Sequence, residues 1–525
     1  MLEVLVRGGQ VVDGAGRGPV PADVGVAAGR VVAVAPPGTL AGAATEIDAT
    51  GRYVLPGFVD AHSHADGAVF DPDVQLALLR QGVTTVVVGQ DGVGYAPAPP
   101  PTRAYVDAYF GALNGPHPVA ALPTVGELLA GYDGAVAVNV AALVPHGTVR
   151  HAVLDLADRP PDRDELARMR AAVERGLADG AVGLSTGLEY VPGRFADTAE
   201  LTALCAPVAA AGAVYVSHLR GYEERTPAAV AEARAIAAGS GVAVHLSHYH
   251  GPAATLAPLV DSARAAGLDV TFDSYPYTRG CSLLAMVLMP PWVQEVGVAA
   301  ACDRLADPAV RKALVEDWLP GVPARLGWDG AWADRITLAG VGSREYRWAE
   351  GLTLAAAARE AGIGGPAEFA AEVLAASRLA VSAVFAFPSA TGEDDMRALL
   401  RHPAHLAGSD GIFAAGHPHP RAWGTFARLL GRHTRELGDY TWAEAAEHLA
   451  GRAAARYGLA GRGQVRVGYA ADLVVVDPAA VADTATYDRP RSVATGVADV
   501  LVNGVPVVAG GALTGARPGR GLRRG

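Results

Sequence analysis

The sequence predicts an α/β protein whose central part is a (β/α)₈ TIM-like barrel. Two observations lead to this prediction. Short apolar runs alternate with Ala-rich amphipathic stretches through the middle of the chain, while Val-rich strands separated by Gly, Asp and Asn turns occupy both ends. At 525 residues, the chain is long enough for one large barrel and a further β-rich unit.

Eight apolar runs are predicted to be the barrel strands. The stretches between them, such as ELARMRAAVERGLADG, have a helical period and end at Gly in the manner of a helix C-cap. Strands that are apolar throughout are typical of parallel sheets covered on both faces, and eight strand–helix units indicate a closed barrel. The predicted strands span residues 58–64, 84–89, 135–143, 181–187, 213–218, 242–248, 269–276 and 404–410.

The seventh and eighth predicted strands are about 130 residues apart, which is far more than one crossover helix requires. We therefore predict an inserted segment at about 280–400. Long structured insertions after a barrel strand commonly cover the catalytic face, so a lid-like position is expected.

Composition restricts the classes of partner. The formal charge of −11, from 43 basic and 54 acidic residues, argues against nucleic-acid binding. The sequence contains neither a signal-peptide pattern nor an apolar run of about 18 residues, so no membrane association is expected. Only three cysteines are present, which suits a reducing compartment. We predict a cytoplasmic protein with a small-molecule partner, and homo-oligomer formation stays open.

Four histidines lie where barrel strands end. His62 and His64 close the first predicted strand with an i,i+2 spacing, His218 closes the fifth and His248 the sixth. A single histidine on an apolar strand is more often structural. Four at the same end of one barrel are better explained as ligands of a divalent metal ion, because burying neutral histidines without partners costs free energy.

Two aspartates follow strands at the same end. Asp410 closes the eighth predicted strand and Asp91 follows the second. Either one alone is also an ordinary turn residue, since each precedes Gly. Together with the histidines, they provide anionic ligands for a metal, and Asp410 is predicted to accept and return a proton.

These elements resemble, in order, the N-acyl-D-amino-acid deacylase (D-aminoacylase) branch of the amidohydrolase superfamily. The resemblance covers nearly the whole chain. The HxH motif indicates only the superfamily, whereas three other motifs are more specific. The matching motifs are LPGFVDAHSHAD, GVTTVVVG, GAVGLSTGLEYVP, YVSHLRG, HLSHYHG, DSYPY, AGSDG and HPHPRAWGTFARLLG, of which STGLEY, DSYPY and HPHPRAWGTF point to the branch.

The resemblance implies a domain organisation and a cofactor. Residues 1–57 and 463–525 would form one small composite β-sandwich beside a barrel at 58–462. The cofactor would be one or two divalent ions, with zinc as the expected metal. The family usually has Asn-Cys-Gly after the second strand, whereas this chain has Gln90-Asp91-Gly92. Asp91 is thus expected to replace a thiolate ligand, and a carboxylate offers harder oxygen ligation and can bridge two ions.

The resemblance also implies roles near the substrate. Tyr190 would donate a hydrogen bond to the scissile carbonyl oxygen, and Arg421 would bind the substrate α-carboxylate. Arg220 and Tyr275 are further candidates for substrate binding. Each of these side chains could instead have a purely structural hydrogen-bonding role.

We therefore expect metal-dependent hydrolysis of N-acyl-D-amino acids, with the D preference implied by the resemblance alone. Superfamily relatives that bridge two metals with a carbamylated lysine are a poor match. The only lysine is Lys312, in a helical stretch of the insertion. Two alternatives stay open: a hydrolase of a dipeptide, lactam or imide from the same superfamily, and an inactive scaffold. Retention of all four histidines argues against the scaffold.

Overall fold

The computed structural model describes residues 1–328, 331–387 and 392–525. Its strands, β1 to β22 in chain order, are Leu2–Val11, Val20–Ala27, Arg30–Ala35, Ala43–Asp48, Tyr53–Pro56, Phe58–Asp60, Val83–Val88, Asn139–Ala142, Val144–Pro145, Gly183–Gly187, Val214–His218, Ala243–Leu246, Val270–Ser274, Arg279–Leu283, Ile336–Val341, Val381–Ala386, His405–Ala407, Leu473–Val476, Val497–Val502, Val505–Ala509, Ala512–Leu513 and Gly521–Leu522.

The α-helices, α1 to α19, are Pro72–Arg80, Pro100–Asn114, Val125–Tyr132, His146–Leu154, Arg163–Ala178, Thr198–Ala210, Thr226–Ser240, Ala253–Ala265, Leu284–Leu288, Pro291–Gln294, Val298–Ala306, Pro308–Ala313, Val322–Arg325, Leu354–Ala361, Pro366–Ala376, Glu393–Leu400, Arg421–Arg428, Trp442–Ala446 and Arg452–Arg456. Wider helical turns occupy Leu314–Trp318, Leu429–Glu436 and Glu447–Gly451. No helix of the described residues has both the length and the apolar character needed to cross a membrane.

Parallel strands close into a barrel in the middle of the chain. β6, β7 and β8 pair in that order, and β9, which continues β8 after one residue, pairs with β10, followed by β11, β12, β13 and β17. The ring closes where the amide of Ala61 donates to the carbonyl of Ala407 (3.1 Å) and the amide of Asp410 to the carbonyl of His62 (2.8 Å). The predicted (β/α)₈ barrel is confirmed.

The barrel strands are buried on both faces. In β7 and β8, neighbouring residues belong to two different apolar clusters. Val87 and Ala141 pack with Tyr457 and Leu522, whereas Val86 and Val140 pack in the larger cluster that contains the surrounding helices. This explains why these strands are apolar throughout rather than alternating.

β10 and β11 end at the predicted residues 187 and 218, but three other strands that lead to site residues end earlier than predicted. β6 ends at Asp60 rather than residue 64, β12 at Leu246 rather than 248, and β17 at Ala407 rather than 410. Most of the histidines and aspartates therefore lie just beyond the strands, and only His218 is the last residue of its strand. The strands end early because the backbone beyond them leaves the regular pairing with neighbouring strands and turns so that these side chains converge.

The two ends of the chain meet in one sheet of nine strands. β5 pairs with β1 on one side and with β18 on the other, so strands from the amino terminus and the carboxyl terminus are hydrogen-bonded neighbours. The last strand departs from this arrangement, because β22 pairs in parallel with β8 of the barrel. The boundaries of the two domains stay a prediction.

Between β13 and β17 lies a segment with its own sheet and core. β14, β16 and β15 form an antiparallel sheet in that order, and α9 to α15 lie between its strands along the chain. Leu338, Phe369 and Leu374 are among its fully buried residues. The predicted insertion at about 280–400 includes residues 329–330 and 388–391, which lie outside the described residues.

Candidate active site

The four predicted histidines and two aspartates converge at the carboxyl end of the barrel strands. Two groups have donor atoms that all lie within 4.8 Å of one another: His62, His64 and Asp91, and Asp91, His218 and His248. Asp91 belongs to both groups. All of these side chains are buried. The arrangement can hold two cations that share one carboxylate.

The first group turns two Nε2 atoms towards two carboxylates. His62 Nε2 lies 3.6 Å from Asp91 Oδ1 and 3.7 Å from Asp410 Oδ1. His64 Nε2 lies 3.6 Å from Asp91 Oδ2 and 3.4 Å from Asp410 Oδ1. These nitrogen–oxygen distances are similar to those between two ligand atoms of one zinc ion, each of which lies about 2.0–2.1 Å from the metal.

The second group is formed by His218 and His248 on the other side of Asp91. His218 Nδ1 is 2.9 Å from His248 Nε2 and 3.6 Å from Asp91 Oδ2. His248 Nε2 is 3.8 Å from Asp91 Oδ1. Two imidazole nitrogens and one carboxylate are a donor set that suits Zn²⁺.

Backbone turns bring these residues together. Asp91, His248 and Asp410 have φ values of 56°, 35° and 47°, in the left-handed region that few side chains adopt. Such conformations persist only where the surroundings hold them. Asp60 stabilises this region, because its carboxylate accepts hydrogen bonds from the amides of His62 (3.3 Å) and Ser409 (2.8 Å). His62 follows the first barrel strand and Ser409 follows the last, so Asp60 connects the two.

The site favours positive charge. Burial opposes charge on these imidazoles, but the neighbouring carboxylates prevail and raise the pKa of His64 to about 10 and that of His218 to about 9. Burial alone would raise the pKa of Asp91, yet His218, His248 and His64 hold it well below its usual range. His62 Nε2 and Asp91 Oδ1 are buried without a hydrogen-bond partner among the described residues. The residues present therefore fit a bound cation.

Three further side chains contact the ring nitrogens of these histidines, and none of them was predicted from the sequence. Asn114 Oδ1 is 2.8 Å from His64 Nδ1, Asp273 Oδ2 is 3.4 Å from His62 Nδ1, and Glu189 Oε2 is 3.1 Å from His218 Nε2. Asp273 and Glu189 lie within DSYPY and STGLEY, so a signal existed: Asp273, like His218, lies at the carboxyl end of a barrel strand.

Asp410 and Arg421 form a buried ion pair. Arg421 Nη2 is 2.8 Å from Asp410 Oδ2, and Arg421 Nε donates to the carbonyl of Asp410 at 2.6 Å. Burial would raise the pKa of Asp410, but Arg421 and the adjacent histidines lower it, so the carboxylate is ionised. Arg421 Nη1 is buried without a hydrogen-bond partner among the described residues, and Nη2 also donates to the carbonyl of Cys281 (3.2 Å).

Tyr190 and Tyr275 lie at this site, whereas the Arg220 guanidinium is engaged elsewhere. The Tyr190 ring is 4.8 Å from that of His218, and its hydroxyl is 2.7 Å from Ser282 Oγ. Burial raises the Tyr190 pKa well above its usual value, so the hydroxyl keeps its proton. The Arg421 guanidinium lies 4.5 Å from the Tyr275 ring centre.

Arg220 donates to both oxygens of Glu232, at 2.9 and 3.0 Å, and to the carbonyls of Arg194 and Ala196. These contacts are those of a structural hydrogen-bonding residue, which was the alternative role for Arg220. They do not bring Arg220 to the metal-ligand cluster. Its substrate role stays an untested prediction.

Comparison with known proteins agrees with this geometry. The family model described as "Amidohydrolase family" matches residues 45–508. The chain belongs to the amidohydrolase family. This amidohydrolase is 34% identical to the D-aminoacylase of Alcaligenes xylosoxydans xylosoxydans, over 99% of this chain and 98% of the relative. It is 35% identical to the N-acyl-D-glutamate deacylase of the same organism, over 100% of this chain and 97% of that protein.

A solved structure gives the same result. The N-acyl-D-glutamate deacylase of Bordetella bronchiseptica, in complex with zinc and a phosphonate mimic of the tetrahedral intermediate, has a TM-score of 0.83 and 32% identity, with 100% of each chain covered. The predicted D-aminoacylase branch is confirmed for this amidohydrolase.

Proposed function

We propose that this amidohydrolase cleaves the amide bond of N-acyl-D-amino acids and releases a carboxylate and a free D-amino acid. The observation that carries the proposal is the sharing of Asp91 by two histidine pairs directly beside Asp410. That arrangement combines a cation site with an ionised carboxylate, and metal-assisted amide hydrolysis uses both groups. The full-length likeness to D-aminoacylase and N-acyl-D-glutamate deacylase supports the substrate class.

The metal ligands of the proposal are His218, His248 and Asp91 for one ion, and His62, His64, Asp91 and Asp410 for a second. A divalent ion, zinc in the first place, would supply Lewis acidity that promotes ionisation of water and polarises the amide carbonyl. We expect the first ion to bind more tightly, because His218 and His248 match the spacing of the family's ligands and Asp91 stands where the family has its thiolate ligand.

The chain's own residues would then perform the proton transfers and orientation. Asp410 accepts a proton from the attacking water and later gives it to the departing amine. Tyr190, which keeps its proton, donates a hydrogen bond to the carbonyl oxygen as negative charge develops there. Arg421 offers Nη1 to the substrate α-carboxylate, since its other nitrogens contact Asp410 and Cys281.

The substrate side chain is expected to be neutral or apolar. The chain's only lysine, Lys312, lies on α12 of the inserted segment with an exposed side chain, so no lysine is expected at the site to pair with an acidic substrate side chain. Leaving a buried carboxylate unpaired costs free energy.

Paired D and L substrates test the proposal. With the acyl carbonyl and the α-carboxylate both held, only one direction remains for the side chain at Cα, so one enantiomer should fit. We expect N-acetyl-D-leucine, -methionine and -phenylalanine to be hydrolysed, N-acetyl-D-glutamate to be a poorer substrate, and the L enantiomers to be poor. Equal rates for both enantiomers, or activity confined to dipeptides or cyclic amides, would contradict the proposal.

Arg421→Met should reduce kcat/KM for the D substrate. The expected loss is about 2–5 kcal/mol in transition-state stabilisation, because the variant loses the contact with the α-carboxylate and leaves Asp410 without its cation. Steady-state kinetics would measure it. Arg428→Met is a matched control, since Arg428 lies on the same helix and pairs with Asp483; a similar loss in both variants would contradict a specific role for Arg421.

The location and assembly of the protein stay predictions. We base the predicted cytoplasmic location and the predicted absence of nucleic-acid binding on the sequence alone. Formation of a homo-oligomer stays a prediction.

A further inference from the structure

His218 is oriented differently from the other three histidines. His62, His64 and His248 turn Nε2 towards Asp91, whereas His218 turns Nδ1 towards it. An imidazole that offers Nδ1 to a cation must carry its proton on Nε2. His218 therefore needs a hydrogen-bond acceptor on the far side of its ring, and its neighbours decide which nitrogen faces the metal site.

Glu189 lies at the required place. Its Oε2 is 3.1 Å from His218 Nε2, and its side chain is only 17% exposed. The other oxygen, Oε1, accepts from Arg225 Nη2 at 2.6 Å. A carboxylate this well buried is costly unless it is paired, and the Arg225 cation offsets that cost from the surface, where its side chain is 66% exposed.

The segment that carries Glu189 contacts His218 a second time. The amide of Leu188 donates to the carbonyl of His218 at 3.1 Å. Backbone and side chain of this segment thus hold His218 from two directions. The next residue is Tyr190, whose ring packs against His218 at 4.8 Å. One short segment therefore orients a metal ligand and also positions the proposed hydrogen-bond donor to the carbonyl.

We propose that Glu189 is a positioning residue for metal binding: it accepts the Nε2 proton of His218, holds Nδ1 towards Asp91, and has its charge compensated by Arg225. The inference rests on the proposed metal-dependent function. The Glu189 carboxylate also increases the basicity of the His218 imidazole through the hydrogen bond, which strengthens its bond to a cation.

The test measures zinc affinity without any substrate. Metal-free wild type and Glu189→Gln are titrated with Zn²⁺ in competition with a chromogenic chelator. The variant keeps the size of the side chain but loses its charge, so we expect the dissociation constant of the tighter ion to rise about 10–100-fold. The visible spectrum of the Co²⁺-loaded protein should change as well, because it reports ligand geometry. The melting temperature of the metal-free variant serves as the folding control.

Two further variants make the result specific. Glu224→Gln removes the same charge from an exposed side chain of the adjacent loop and should leave the dissociation constant within about twofold of wild type, since surface charges are screened. Arg225→Gln keeps Glu189 but removes its cation, so we expect a smaller rise than in Glu189→Gln. Because Arg225 is exposed, Arg225→Gln can replace Glu189→Gln in the test if Glu189→Gln does not fold.

Wild-type zinc affinity in Glu189→Gln, or in Arg225→Gln where that variant alone folds, would overturn the inference. An equal loss in Glu224→Gln would do the same, because the effect would then be one of net charge. Failure of the proposed function has a different signature: the wild type would bind zinc and respond to Glu189→Gln, yet hydrolyse no N-acyl-D-amino acid.

Discussion

Asp410→Asn is expected to lower kcat by about 10²–10⁴-fold, because the amide keeps the size of the carboxylate but cannot accept a proton from water. Asp410 is buried and ionised, with Arg421 Nη2 at 2.8 Å and His64 Nε2 at 3.4 Å. The tighter metal should be retained, since His218, His248 and Asp91 form their group without Asp410. Steady-state kinetics and metal analysis of the same preparation would measure both effects.

Asp261→Asn is a suitable control for Asp410→Asn. Asp261 has an exposed side chain that contacts His402, outside the site, and the substitution makes the same chemical change. Its activity should stay close to that of wild type. An Asp410→Asn enzyme within about tenfold of wild type at every pH would remove Asp410 from the mechanism, since loss of a general base costs more than that.

His218→Ala and His248→Ala should each remove the tighter metal and nearly all activity. Each substitution deletes one of three donors in a group whose donor atoms all lie within 4.8 Å of one another. Loss of an outer-shell partner costs roughly 10–100-fold in metal affinity, so loss of a ligand should cost more. Elemental analysis after dialysis and activity at micromolar protein would show the two losses together.

His62→Ala and His151→Ala are the comparisons for these variants. His62→Ala should reduce the content of the second ion while the first stays bound, because Asp91 keeps His218 and His248 as partners. His151 lies on α4 and contacts Asp155, outside the two groups, so His151→Ala should leave the metal content unchanged. Full metal content in both His218→Ala and His248→Ala would show that the assignment of the tighter site is wrong.

The sequence by itself determined the barrel and the identity of the residues at its carboxyl end. Apolar strands alternating with Gly-terminated helices predicted a parallel sheet covered on both faces, and the count of eight strand–helix units indicated that it closes into a (β/α)₈ barrel. Because barrel strands all end at one face, His62, His64, His218, His248, Asp91 and Asp410 could be predicted to converge from their places after the strands. Tyr190, in STGLEY, was identified only through the resemblance to the D-aminoacylase branch.

Only the tertiary structure decided how those residues are held and oriented. The pairing of Glu189 with His218, of Asp273 with His62 and of Arg421 with Asp410 joins residues that are 29, 211 and 11 positions apart, and no periodicity encodes such contacts. Left-handed turns at His248 and Asp410 also place these two residues beyond the ends of β12 and β17. Such turns are costly locally and form only when surrounding contacts hold them, so a local pattern cannot predict them.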